Sequence, residues 1–268
     1  ALFPECSSYK TLVGSVTAKT RLKVASQLPF SLHFSEIGRH NLYQINNGDL
    51  TEGFIHVRSE QSRWGLIEIV WFLNLDLSVR DFTFQRCRSP LKKELLNNNF
   101  KQQILGLNYV QLIKLIDAKG YLKNDLHIPK DCQKLVQLLI HSALKTIAVS
   151  EISWSKKITK VRQRKLLREL NIDHQANSLK TKHHSEKIDS LSVQNFTGTR
   201  SSFFQGKITI QDKSLNICGA FDGSTILKLY LPYNYNFITE KQIITDAKGN
   251  HYSFPENNLL ELLKEASP

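Results

Sequence analysis

The sequence predicts an α+β protein: an antiparallel sheet packed against a long helix, then a basic linker and a small β-rich C-terminal module. Three observations predict it. Between Gly65 and Leu75, the residues Ile67, Ile69, Trp71 and Leu73 alternate with Glu68, Val70 and Phe72, the period of a strand. From Cys132 to Val149, Leu135, Leu139, Ala143 and Ile147, flanked by Val136, Ile140 and Leu144, recur at helical spacing and form one wide apolar stripe. After residue 195, short apolar runs are separated by turn residues. Asp222-Gly223 is the strongest of these, because a tight hairpin turn needs positive φ.

In chain order, residues 1–35 read as an irregular segment followed by a short strand or helix. Ser35 to Asn47 mixes polar residues with Leu42, Tyr43 and Ile45, and Asn46-Asn47-Gly48-Asp49 is a turn signal. Gly53 to Arg58 reads as a strand and Glu60 to Arg63 as a polar turn. Asp76 to Gln85 continues the pattern of Gly65 to Leu75, which makes an antiparallel meander of three or more strands. Pro90 to Asn97 reads as a helical turn with Pro at its favoured first position. Phe100 to Gly106 is a short piece ended by its glycine, and Tyr109 to Ala118 suits either a strand or a helix. Asp131 is placed to cap the long helix.

Lys156 to Leu170 reads as a second helix, with Ile158, Val161, Leu166 and Leu170 as a thin apolar edge. Asn171 to Asn195 is polar and aperiodic, and reads as a linker. Phe203 to Ile210, Leu215 to Phe221, Thr225 to Leu231 and Phe237 to Thr245 read as four strands. Asn257 to Glu265 closes the chain as a helix with Leu259, Leu260, Leu262 and Leu263 inward. The expected organisation is a domain over 1–154, a basic helix and linker over 155–195, and a β-rich module over 196–268.

The 268 residues are 41 % apolar and 22 % charged, which excludes wholesale disorder and a low-complexity chain. The longest apolar-rich run, Leu66 to Leu75, contains Glu68 and Asn74. It falls far short of the roughly 20 residues of a membrane-spanning helix, so no transmembrane segment is expected. The net charge is +12, and +7 of it lies in residues 155–187, which hold 10 basic and 3 acidic side chains. This predicts an anionic partner, either an acidic protein or an anionic membrane surface. Lys156, Lys157, Lys160, Arg162, Arg164, Lys165 and Arg168 suit phosphates as well, but no aromatic side chains interleave them. A stacking platform is therefore missing, and nucleic acid is the less favoured partner.

The chain contains no Met, and Ala1 suits the residue that follows a cleaved signal peptide, so a mature, exported, periplasmic protein is expected. Cys6, Cys87, Cys132 and Cys218 are isolated, without metal-ligand spacing. They suit either one or two disulfides in an oxidising compartment or four buried thiols. His174, His183 and His184 have only Glu186 nearby and read as exposed linker residues rather than metal ligands. His141 and Ser142 are neighbours on a helix and point apart, which argues against a hydrolytic triad. No Gly-rich phosphate loop occurs, and Trp64, Trp71 and Trp154 read as core residues.

Several segments share the order of a known family. Leu2-Phe3-Pro4-Glu5, the stretch Gly65-Leu66-Ile67-Glu68-Ile69-Val70-Trp71 followed by Leu75-Asp76-Leu77-Ser78-Val79, and Phe100-Lys101-Gln102-Gln103-Ile104-Leu105-Gly106 occur in that sequence. The chain from about Leu2 to Val149 resembles the FMN-binding domain of exported bacterial redox proteins. The resemblance implies the meander-and-helix fold and a flavin esterified to the first Thr of a Ser-Gly-Ala-Thr motif at the start of the last helix. Here that place reads His127-Ile128-Pro129-Lys130-Asp131-Cys132, with Lys130 where the modified Thr belongs. An ammonium forms no such ester, so covalent FMN is not expected. The family's acidic turn is replaced by Arg86-Cys87-Arg88-Ser89. Arg86, Arg88 and Lys130 are the candidate phosphate contacts for FMN held without a covalent bond. The preferred expectation is a degenerate, non-catalytic member that docks with a redox or envelope complex. The alternatives are a non-covalent flavoprotein in electron transfer and a basic nucleic-acid-binding protein.

Overall fold

A computed structural model of the chain describes residues 3–33, 36–123, 126–128, 130–169, 178–185, 188–196, 201–210, 213–238, 243–253 and 259–265. It is α+β, and it divides into two compact units, 1–158 and 159–268.

The first unit is a five-stranded antiparallel sheet in sequence order: β1 (Ser8–Val16), β2 (Gly38–Asn47), β3 (Leu50–Ser62), β4 (Gly65–Leu73) and β5 (Val79–Arg86). The first 35 residues thus contribute a full strand, β1, followed by α1 (Ala18–Ala25), which the Thr17 side chain caps by accepting from Thr20 N. Gly48 at φ 54 makes the β2–β3 turn where the Asn-Asn-Gly-Asp signal lies. Glu60 to Arg63 is not a turn: β3 runs on to Ser62 and only Arg63 and Trp64 connect it to β4. The inward residues Ile67, Ile69, Trp71 and Leu73 of β4 are fully buried, as their alternation predicts.

After β5 come α2 (Lys92–Leu96), α3 (Asn98–Lys101) and α4 (Tyr109–Lys114). The ambiguous stretch at Tyr109 is helical because Asn108 and Gln111 form a reciprocal capping box that fixes its first turn. A 3-10 turn, Lys130–Cys132, leads into α5 (Gln133–Glu169). The two helices expected over 132–170 are both present and run on from each other as α5, meeting at a kink at Trp154 (φ −121, ψ 19) that falls at the break between the two apolar patterns. Leu135, Leu139, Ala143 and Ile147 are buried. Among the described residues α5 alone is long and apolar enough to cross a membrane, and 72 % of that stretch is buried inside the protein. It is a longer apolar run than Leu66 to Leu75, and its burial marks it as a core helix.

The second unit has a five-stranded antiparallel sheet ordered β6 (Ser178–Ser185), β7 (Ile188–Phe196), β8 (Ser202–Ile210), β9 (Lys213–Phe221) and β10 (Ile226–Tyr230). The expected linker over Asn171 to Asn195 therefore includes a hairpin, β6–β7. Leu191 and Val193 are its buried alternate positions, a two-residue signal that the surrounding Ser, Gln and Lys residues mask. One sheet face packs under Leu166 of α5, through Phe203, Cys218, Ala220 and Tyr230. The other face meets β11 (Tyr235–Ile238), β12 (Ile243–Asp246), β13 (His251–Ser253) and α6 (Leu259–Glu265), with Phe204, Ile217, Ile244 and Leu263 in its core. The single strand expected over Phe237 to Thr245 is thus two, β11 and β12, in a sheet of their own. The Asp-Gly signal is a turn: Gly223 has φ 84, and Asp222 accepts from Ser224 N (3.0 Å) and Thr225 N (2.7 Å). Those bonds lower its carboxyl to about 2.

Candidate functional site

A strand covered by a helix is expected to turn apolar side chains toward it. β3 does so at Phe54, but its next three inward positions are His56, Arg58 and Glu60, which are 1 %, 3 % and 9 % exposed. Their partners across the ladder on β4, Trp71, Ile69 and Ile67, are fully buried and apolar. A polar row has therefore been built into the middle of the first unit.

The row is answered by charge from two other elements. Glu36, just before β2, pairs with Arg58. Lys145 of α5 reaches Glu36 at 3.1 Å and also pairs with Glu60. Two carboxylates and two cations thus close one buried, charge-neutral cluster. Burial alone would raise the Glu36 carboxyl, but the charges of Arg58 and Lys145 and their hydrogen bonds outweigh it and hold it below its ordinary value. Beside the cluster, His40 Nε2 lies 2.9 Å from the Glu36 carbonyl, and His56 Nδ1 lies 3.0 Å from Ser150 Oγ on α5. The His56 ring stands perpendicular to Trp154 at 5.7 Å. Burial, with the nearby Arg58 charge, pushes the His56 imidazole well below its ordinary value and keeps it neutral.

The four charged residues of the cluster and His40 line a cleft of about 820 Å³, within the range of small-ligand sites. His33, Glu36 and His40 border it on one side, Val57 to Gln61 of β3 and Leu66 on the other, and Lys145 reaches it from α5. Arg58 Nη1, Glu60 Oε1 and His56 Nε2 are buried and have no hydrogen-bond partner among the described residues. Each such group costs about 1–3 kcal/mol.

The residues singled out by the resemblance lie elsewhere. Arg86 ends β5 opposite Glu68 and is exposed, as is Arg88 two residues on. Lys130 opens the 3-10 turn before α5; the course of its side chain lies outside the described residues. The Phe-x-x-Gln segment serves that region structurally. Phe100 is buried near Phe82 (ring centroids 6.4 Å), and Lys101 pairs with Asp81 at 2.7 Å. Gln103 grips the backbone of His127 twice, donating to its carbonyl (3.1 Å) and accepting from its N–H (2.8 Å). The motif thus fastens the approach to α5. Cys132 is buried there, and burial with the Glu94 and Asp131 charges raises its thiol.

His141 and Ser142 part as their helical spacing requires. His141 stacks on Phe30 at 3.8 Å and lies 2.7 Å from the Gly120 carbonyl, whereas Ser142 Oγ accepts from Trp71 Nε1 at 3.0 Å. Trp71 and Trp154 are core residues, while Trp64 is half-buried in the β3–β4 turn under the Arg63 guanidinium (4.1 Å). All four cysteines are free; Cys132 and Cys218 are buried and Cys6 is exposed. The side chains of His174, His183, His184 and Glu186 lie outside the described residues, among which no group of three or more metal ligands occurs. No protein-family model matches this chain, and no curated protein matches it in sequence.

Sequence reasoning missed the cluster. Glu36, Glu60 and Lys145 are up to 109 residues apart, and Glu60 read as part of a turn. The signal that was present is parity: His56, Arg58 and Glu60 share the inward face of β3 with Phe54, in register with Trp71, Ile69 and Ile67.

Proposed function

We propose that the chain is a non-catalytic exported protein on an FMN-binding-like scaffold, lacking the covalent tether, and that it docks with a redox or envelope complex. The observation that carries this reading is the head of α5. Lys130 stands in the turn that opens the helix, where the resemblance places an esterified Thr. The residues present there do not fit a phosphoester, since an amine forms none.

Two features support docking rather than catalysis. The ionisable groups at the heart of the first unit are engaged with each other, and Ser142 and His141 bind different partners. After its kink, α5 separates its charges cleanly: Ile158, Arg162 and Leu166 are buried, and Lys156, Lys160, Arg164 and Arg168 are exposed. Both sets step by four residues, about 6 Å of rise each, on opposite faces. Like charges at this spacing repel by a few tenths of a kcal/mol per pair, a cost that an acidic protein or an anionic membrane surface removes.

A second reading, FMN bound without a covalent link and used in electron transfer, is favoured by the exposed Arg86 and Arg88, two forked cations two residues apart. Visible absorption of the purified native protein separates the two. No flavin band supports docking alone; a yellow protein whose colour leaves on acid precipitation supports the second reading. Retention on phosphatidylglycerol vesicles that falls steeply with salt supports the anionic surface, and retention on DNA alone would instead favour a nucleic-acid role.

A further inference from the structure

The cleft beside the buried cluster coincides with a split in the sheet. β2 runs from Gly38 to Asn47 and pairs with β1 from Gly38 to Asn46. Its pairing with β3 stops at Leu42–His56, although β3 continues to Ser62 and pairs with β4 as far as Ser62–Gly65. Among the described residues Val57 to Gln61 is therefore ladder-bonded on the β4 side only, in the interior of the sheet rather than at its border. In such a stretch alternate residues turn their N–H and C=O toward the open side. That stretch, all five residues of it, lines the 820 Å³ cleft, and the diverging chain at Glu36 and His40 lines the opposite wall.

We propose that this cleft is a peptide-docking site, in which an extended segment of a partner protein adds as a strand along β3 at Val57–Gln61. The chemistry of the walls specifies the occupant. An open strand edge is complementary to another extended backbone, which supplies N–H and C=O groups at the same spacing. On the solvent side Val57 (36 % exposed) and Leu66 (40 % exposed) offer an apolar ledge for one side chain of the incoming strand. Five residues of β3 set the length, so a segment of about five to seven residues fills the edge. This site is independent of the head of α5 and of any flavin.

The test uses the full chain. A phage-displayed library of random heptapeptides is selected on it, and the enriched peptides are synthesised and titrated by fluorescence polarisation. Amide hydrogen exchange is then followed with and without peptide. The proposal expects saturable binding and slowing of exchange by about tenfold or more within Val57–Gln61, with the other strands unchanged. Ser59→Pro, which puts a ring on the edge, is expected to weaken binding at least tenfold; if that variant does not fold, the exchange footprint alone decides. Selected peptides that protect another region, or a selection that yields none, overturn the proposal. So does protection of Val57–Gln61 in the free chain: if it rises with protein concentration the occupant is a second copy, and if it does not the chain's own residues already cover the edge.

Discussion

Gly14 of β1 lies directly against the indole of Trp154: a Cβ at that glycine would sit 2.6 Å from a ring carbon. The ring is 2 % exposed and is crossed at right angles by His56 of β3. The kink of α5 therefore falls where its one non-helical residue seats a large ring against two strands. Gly14→Ala is predicted to destabilise the protein by about 1–3 kcal/mol, as overpacking does. Urea denaturation measures it. Adding Trp154→Leu should recover part of the loss, and strict additivity of the two changes would show that they do not share this contact.

Lys145 joins Glu36 to Glu60 in a setting that is about nine-tenths buried. Lys145→Met leaves Glu36 with Arg58 alone and takes from buried Glu60 the cation it pairs with. The expected cost is about 3–5 kcal/mol, the range for removing one partner of a buried ionic group. A denaturation midpoint within error of the parent protein would mean that the cluster is solvated and not closed by the lysine.

The cluster also sets a pH dependence. His56 is held neutral, its folded value well below the ordinary 6.5. The unfolded chain takes up a proton that the folded chain refuses, so stability falls as pH drops below 6.5 toward the folded value. Glu36 acts in the same direction further down: its folded value is depressed, so its contribution is full above the ordinary 4.5 and is lost as pH falls through the folded value. Denaturation midpoints measured from about pH 8 to about pH 5 should decline, and His56→Phe should flatten that slope. An equally steep decline in the variant would assign it to other groups.

Gln103 ties the residues after α3 to the approach of α5 through both amide atoms. Gln103→Ala is predicted to cost about 1 kcal/mol and to speed exchange of the His127 amide while the β4 amides stay slow. Unchanged exchange at His127 would show that the loop is held by something else.

The strands with clean alternation, Gly65 to Leu75 above all, and the helix after residue 132 were readable because burial on one face writes a period into the chain. β6 and β7 were not, because Leu191 and Val193 are their only described buried apolar positions amid polar residues. The β3 extension was hidden for a related reason. Arg58 and Glu60 carry charges in an inward position, so a pattern that equates charge with solvent places a turn there. Their partners come from the loop before β2 and from the middle of α5, and no local spacing announces a pairing across 109 residues. The start of α5, by contrast, was legible from the apolar period that begins after Cys132, and Lys130 lies in the turn that leads into it.

On the proposed reading, the amine of Lys130 separates a scaffold without a tether from a flavoprotein with one. The most direct measurement is the intact mass of the native protein after denaturation, taken together with its visible spectrum. The account predicts the mass of the polypeptide alone. A mass larger by one FMN, with flavin absorption that survives acid precipitation, would contradict it.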